Sequence, residues 1–187
     1  MTNRYIADLH YGHENIIKFD NRPFRDIKHM EEVLISNWNS VVEKDDTTYI
    51  LGDFCWNKED EWKRILKLLN GNKVLIKGNH DLKNMSTELK RMFQDIKDYK
   101  EITDCQKHVI MCHYPILLYK GSYNPDCYML CGHVHTTREN NFLNRWKKEL
   151  KETRCYPHNN CGNIYNVGCM LLDYTPRTLD EIIKIYK

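Results

Sequence analysis

The sequence predicts a single α/β domain, and three observations support this prediction. Short apolar segments rich in β-branched residues alternate with longer segments in which apolar residues recur at helical spacing. Five of the short segments end one to three residues before a cluster of His, Asp or Asn side chains. A chain of 187 residues is long enough to bury one hydrophobic core, so we expect residues 1–187 to form one domain.

In the first half of the chain, three predicted strands alternate with two predicted helices. Residues 4–9, 47–51 and 73–76 are short apolar segments, as is typical of buried strands. Residues 30–42 carry apolar side chains at the three- and four-residue spacing of an amphipathic helix. Residues 58–69 predict a second helix, which ends shortly before a glycine.

The second half continues the alternation and then closes the domain. A third helix is predicted near residues 86–93, because an N-capping serine precedes a short amphipathic stretch. Four apolar segments and one short amphipathic segment follow. They predict two strands (108–111 and 128–130), a closing hairpin (163–167 and 170–173) and a terminal helix or strand (179–185).

Residues 136–161 interrupt this alternation, and we interpret them as an insertion on the face that carries the polar clusters. The segment is polar, helix-like over residues 144–152, and richer in Arg and Lys than in acidic residues. Glu149 and Glu152 nevertheless favour a solvated helix face over an anion-binding surface. Three residues resemble part of a zinc site without the fourth ligand that structural zinc takes: Cys155, His158 and Cys161.

Composition argues against several classes of protein. The 28 basic and 26 acidic residues give a net charge of +2, without the basic excess typical of nucleic-acid-binding proteins. We find neither a membrane-spanning apolar run nor a signal-peptide pattern, so we expect a cytoplasmic protein with no membrane partner. The eight cysteines form no C-x-x-C pair, and we interpret most of them as buried thiols. The sequence carries no signal for an oligomeric state.

The polar residues at the strand ends are mostly of metal-ligand type. Imidazole, carboxylate and amide oxygen together suit Mn, Fe, Zn or Co better than Mg or Ca. Seven ligands exceed the need of one tetrahedral ion but suffice for two ions if one carboxylate bridges them. Two ions about 3.5–4 Å apart suit in-line displacement at phosphorus. The seven candidates are Asp8, His10, Asp53, Asn79, His113, His133 and His135.

Each pattern alone also has a structural interpretation. Residues two apart on an extended segment point the same way, so His133 and His135 can reach one site or form a satisfied core pair. Asp8 alone can cap a turn. The ordered recurrence of such residues at five strand ends is what favours a metal site.

In order along the chain, these residues resemble the five motifs of the calcineurin-like metallophosphoesterase superfamily. The resemblance spans residues 4–174, and residues 8–16 and 21–24 are similar to the small bacterial and phage members. It implies a fold of two packed mixed β-sheets flanked by helices. The motifs are Asp8-x-His10, Gly52-Asp53, Gly78-Asn79-His80-Asp81, Cys112-His113 and Gly132-His133-x-His135.

The resemblance also implies a role for each motif residue. Asp8, His10 and His135 would bind one metal ion, and Asn79, His113 and His133 a second, with Mn or Fe favoured. Asp53 would bridge the ions, and a bridging water or hydroxide would attack phosphorus. His80 would stabilise the transition state or protonate the leaving oxygen, and Asp81 would orient His80 through its other ring proton.

Two further residues are candidates for substrate contact. His13 follows the first motif closely, and it either touches substrate or fixes the loop. Arg22 has the guanidinium geometry that clamps a phosphate oxygen, although a surface ion pair is the commoner use.

These features predict a dinuclear phosphoesterase that hydrolyses phosphate mono- or diesters, nucleotide-like esters among them. Gly52-Asp53 is not followed by the arginine of protein Ser/Thr phosphatases, and Asp81 replaces their glutamate, which argues against that activity. Two alternatives stay open: a nuclease, which the near-neutral charge disfavours, and a non-catalytic scaffold, which the complete ligand set disfavours.

Overall fold

In the computed structural model, which describes residues 1–152 and 162–186, the strands form two four-stranded sheets. The first sheet is entirely parallel, and its strand order follows the chain. Its strands are β1 (Asn3–Ile6), β2 (Thr47–Ile50), β3 (Asn72–Ile76) and β4 (Asp95–Lys97).

The second sheet is mixed. Its first two strands form an antiparallel hairpin, whose two turn residues, Cys105 and Gln106, both have positive φ. The remaining strand pairs are parallel. The strands are β5 (Tyr99–Asp104), β6 (Lys107–Cys112), β7 (Cys127–Cys131) and β8 (Ile164–Asn166).

Helices cover the outer faces of both sheets. In the first sheet, alternate residues such as Ile6 and Tyr5 face opposite ways, as the pleat requires. Ile6 packs in a cluster with residues of α2 and α3, whereas Tyr5 packs in a cluster that both sheets share. The helices are α1 (Glu14–Phe19), α2 (Ile27–Val41), α3 (Glu59–Leu68), α4 (Thr87–Lys90), α5 (Arg138–Glu152) and α6 (Leu179–Ile185).

Helix α5 is longer than the sequence predicted and is part of the core. It begins at Arg138 rather than near residue 144, and its Leu143 is buried against the outer face of the second sheet. The described part of the predicted insertion therefore supplies the layer that covers this sheet. Cys155, His158 and Cys161 lie outside the described residues.

The two-sheet fold flanked by helices is confirmed, with the difference that only the second sheet is mixed. The predicted closing hairpin is wrong, because β8 pairs with β7 in parallel and residues 169–171 form a 3-10 turn. The amide of Cys169 donates to the carbonyl of Ala7 at 2.8 Å, so the chain crosses to the first sheet instead of folding back on β8. In the part of the chain described, every helix is too short or too polar to cross a lipid bilayer.

Candidate metal centre

Left-handed backbone turns carry five of the predicted ligands. Non-glycine residues rarely adopt positive φ, since each such residue costs about 1–3 kcal/mol and persists only where its surroundings hold it in place. Such conformations cluster at functional sites, and here they follow β1, β2 and β7 at the carboxyl ends of the strands. The residues are Asp8 (56°), His10 (53°), Asp53 (52°), His133 (70°) and His135 (42°).

The motif glycines let these turns approach one another closely. Gly52 has a φ of 86°, and a Cβ added there would lie 2.3 Å from Nδ1 of His113. A Cβ added at Gly78 would lie 2.3 Å from Oδ1 of Asp53. Any larger residue would therefore displace a ligand side chain.

Asp8, His10 and His135 form the first group of candidate ligands. One donor atom of each, together with one of Asp53, lies within 4.8 Å of the others. Nε2 of His135 lies 3.3 Å from Nε2 of His10 and 3.8 Å from Oδ1 of Asp8. Asp8, His10 and Asp53 are buried, and the side chain of His135 is 13% exposed.

Asn79, His113 and His133 form the second group. The amide oxygen of Asn79 lies 3.0 Å from Nε2 of His113 and 2.9 Å from Nδ1 of His133. Asp53 lies between the two groups, because its Oδ2 is 3.7 Å from Nε2 of His10 and 3.6 Å from Nε2 of His113. All seven predicted ligands thus converge.

Hydrogen bonds on the far side of two histidine rings direct the lone pairs of these rings at the centre of the site. Nδ1 of His113 lies 2.8 Å from the carbonyl oxygen of Leu51, to which it can only donate, so Nε2 carries the lone pair. Nδ1 of His135 likewise donates to the carboxylate of Asp20 at 2.8 Å. Nε2 of His135 therefore faces Asp8 with one acceptor opposite another, an arrangement that a cation between them would satisfy.

Burial favours the neutral forms of two candidate ligands, His10 and Asp8. It lowers the pKa of His10 to about 2, with the charge of His135 adding to the effect, so His10 is neutral. It raises the pKa of Asp8 to about 6, although the charge of His135 and the backbone N–H of His133 act in the opposite direction. A buried carboxylate is costly without a cation, and this set of imidazole, carboxylate and amide donors fits divalent transition-metal ions.

Asp8→Asn is expected to stabilise the metal-free protein at neutral pH. The folded protein keeps the proton of Asp8 up to a pKa of about 6, whereas the unfolded chain releases it near 3.8. The free energy of unfolding therefore falls as pH rises between these values, by up to about 3 kcal/mol. Urea unfolding after chelation should show the variant as the more stable protein at pH 7 and little difference near pH 4.

With Mn²⁺ present, the wild type should be the more stable protein at pH 7. The ions bind the folded wild type and stabilise it by mass action, whereas they bind poorly to the amide that replaces the carboxylate in the variant. A metal-free variant less stable than the wild type at pH 7 would show that the carboxylate of Asp8 already has adequate partners.

Arg22 lies beneath the site rather than at its open face, which corrects its predicted contact with a phosphate. Its side chain is buried, and the guanidinium donates to the carbonyls of Asp8 and Leu9 at 2.8 and 3.0 Å. It also forms an ion pair with Asp20 at 2.9 Å. Donors committed inside the protein are not available to a substrate, so Arg22 positions the first ligand turn and Asp20.

The sequence analysis assigned no role to Asp20, although it stands two residues before Arg22. Burial disfavours the imidazolium of His135, but the hydrogen bond to Asp20 and the charge of Asp8 outweigh burial and raise its pKa. A carboxylate behind a ligating histidine fixes its tautomer and increases its basicity. Only the fold brings positions 20 and 135 together.

Asp20→Asn is expected to weaken Mn²⁺ binding about 10–100-fold, the usual effect of losing such a supporting carboxylate. Calorimetric titration of the chelated protein measures the affinity directly. Asp26→Asn is the matched control, since Asp26 is exposed and caps α2. Equal affinity in Asp20→Asn and wild type would show that His135 does not depend on Asp20.

Asp81 holds backbone rather than the ring of His80, which corrects its predicted role. Its carboxylate accepts from the amides of Asp53, Phe54 and Gly78 at 3.1, 2.9 and 2.7 Å. Burial raises the pKa of Asp81, and these amides act in the opposite direction. Asp81 therefore links the turn after β2 to the turn after β3.

His80 is exposed beside the first ligand group. Its backbone amide donates to Oδ1 of Asp53 at 2.9 Å, and its ring lies 6.0 Å from the ring of His10. Trp56, which the sequence did not suggest, lies 4.6 Å from the ring of His80 and stacks on His13 at 4.0 Å. Trp56 is 46% exposed. His13 is thus at the edge of the site, and its contact with substrate stays a prediction.

Two packed sheets, with buried imidazole and carboxylate ligands gathered at their strand ends, define a class of α/β metalloproteins. The sequence profile of the calcineurin-like phosphoesterase family matches residues 5–170, and the chain belongs to this family. The resemblance stated above is therefore confirmed, and the protein is a metal-dependent phosphoesterase.

Three proteins illustrate the relationship. An uncharacterized protein of Methanocaldococcus jannaschii is 33% identical over 186 residues, which are 96% of this chain and 88% of that protein. The Gene 66 protein of Mycobacterium phage L5 is 36% identical over 80 residues, or 41% of this chain and 38% of that protein. The crystal structure of a protein of unknown function from Aquifex aeolicus aligns over 98% of each chain, with 31% identity and a TM-score of 0.69.

Proposed function

We propose that the protein hydrolyses small phosphodiesters, using two divalent metal ions, with Mn or Fe favoured. The observation that carries the proposal is the position of Asp53, whose Oδ2 lies within 3.7 Å of one ligand group and 3.6 Å of the other. Two bound ions would activate a water and stabilise the negative charge that develops at phosphorus.

The chain's own residues orient the ions and serve the leaving group. Asp8, His10 and His135 would hold one ion and Asn79, His113 and His133 the other. Asp20 and the carbonyl of Leu51 keep the protons of His135 and His113 on the nitrogens that point away from the centre. His80, exposed beside the site, would donate a proton to the leaving oxygen.

The test is hydrolysis of bis-p-nitrophenyl phosphate by the Mn²⁺-loaded protein, with p-nitrophenyl phosphate as the monoester for comparison. We expect turnover of the diester, a lower rate on the monoester and loss of both on chelation. Labelled single-stranded DNA and RNA in the same assay distinguish a nuclease. Full metal loading without hydrolysis of any ester would indicate a binding scaffold and overturn the proposal.

A further inference from the structure

We propose that a groove beside the second ligand group binds the part of the substrate away from the scissile bond, and that this part is a nucleotide carrying a second phosphate. This inference rests on the proposed function, because it assumes that the scissile phosphate lies at the metal centre. It assigns a ligand to a surface that the metal chemistry does not use.

The groove consists of two adjoining cavities of about 440 and 500 Å³. Asn79 and Tyr114 line the smaller one, which makes it continuous with the metal centre. Lys77, Lys83 and Asp98 line both, so they form the passage from one to the other. Cavities of this size, about 300–1,000 Å³, typically hold small-molecule ligands.

The groove carries uncompensated positive charge. Four lysines line it, against three aspartates that already have partners. One of them, Asp81, accepts from backbone amides, as described above. Asp98 pairs with Lys77 at 2.9 Å, and Asp95 accepts from Lys100 at 2.6 Å. Lys83 and Lys90 are exposed and have no carboxylate within 4.0 Å among the described residues. A phosphate between them would form the charge-assisted hydrogen bonds that these ammonium groups lack.

The floor and mouth of the groove suit an aromatic group. Met85 and Phe93 line it with buried side chains that belong to the first hydrophobic cluster. Tyr114 stands at the junction with the metal centre, 46% exposed and 4.7 Å from the ring of His133. An exposed ring at that place can stack on a base. Apolar floor, stacking ring and free lysines together fit a nucleotide better than a bare anion or an acyl chain.

The groove is short and the chain as a whole is nearly neutral, with a net charge of +2. A long nucleic acid gains affinity from many phosphate contacts, and this surface offers two free lysines. We therefore infer a small nucleotide-like ester as the ligand.

Calorimetric titration of the Mn²⁺-loaded protein with thymidine 5′-monophosphate and thymidine 3′,5′-bisphosphate tests the groove without requiring turnover. Both probes offer one phosphate to the metal centre, and they differ by one phosphate. We expect the bisphosphate to bind about tenfold more tightly, a gain typical of one charge-assisted contact. The variant Lys83→Ala/Lys90→Ala should reduce this preference to about twofold or less.

Lys44→Ala/Lys184→Ala is the matched control, since both lysines are exposed and neither lines the groove. This control should keep the tenfold preference and hydrolyse bis-p-nitrophenyl phosphate at the wild-type rate. Equal affinity of the wild type for the two probes would overturn the groove assignment, as would a preference that survives the loss of Lys83 and Lys90. Tighter binding of a single-stranded hexanucleotide than of the bisphosphate would replace the small nucleotide with nucleic acid. If bis-p-nitrophenyl phosphate is not hydrolysed at all, the proposed function fails. The titration still tests the groove separately, because it compares the affinities of the two probes and requires no turnover.

Discussion

Asp53→Asn is expected to lower the rate on bis-p-nitrophenyl phosphate by more than about 10³-fold and to weaken both metal positions together. Removing one preorganised group at a developing charge typically costs 10²–10³-fold, and Asp53 faces both ligand groups, at 3.7 Å from His10 and 3.6 Å from His113. An amide cannot neutralise the charge of two ions. The amide oxygen can still accept from the backbone of His80, so the fold should persist.

His10→Ala is the informative comparison, because His10 belongs to the first ligand group alone. In that variant one equivalent of Mn²⁺ should bind with near-normal affinity and the other should be lost. Near-normal binding of two equivalents by Asp53→Asn, with a normal rate, would show that Asp53 does not bridge.

His80→Asn is expected to keep both metals and to lose activity. The loss should be larger for esters whose leaving group is more basic. The ring of His80 is exposed and no described carboxylate holds it, so it is free to approach a bound ester. General acid catalysis typically contributes about 10²–10⁴-fold when the leaving oxygen needs a proton. The loss should approach that range for alkyl esters and be much smaller for p-nitrophenyl esters, whose leaving group is stable without a proton.

Plots of log kcat against leaving-group pKa for a series of diesters measure this effect, and the variant should show the steeper negative slope. Parallel lines would remove the general-acid role and leave His80 as an electrostatic contact. Loss of one bound metal would instead make His80 a ligand.

The metal centre was largely predictable from the sequence because its ligands follow strands. Parallel strands place their carboxyl ends at one edge, so Asp8, Asp53 and Asn79 had to meet once β1, β2 and β3 were recognised. The left-handed turns that carry five of the ligands were not predictable, because Asp and His adopt positive φ only when tertiary contacts hold them there.

Supporting residues were less predictable than ligands, because their roles depend on contacts distant in sequence. Arg22 was a candidate for either a phosphate contact or a surface ion pair, and Asp81 was predicted to orient His80. Both instead hold backbone turns beneath the site. Asp20 meets His135 across 115 positions, which no local pattern signals. β5 was missed because its side chains are mostly polar, as an edge strand allows.

The number of metal ions per chain tests the central claim most directly. Chelated protein should be dialysed to equilibrium against Mn²⁺ and its metal content determined by mass spectrometry, with Asp53→Asn treated in parallel. The two convergent ligand groups and the position of Asp53 between them predict saturation close to two equivalents in the wild type. Saturation at one equivalent would contradict the dinuclear centre.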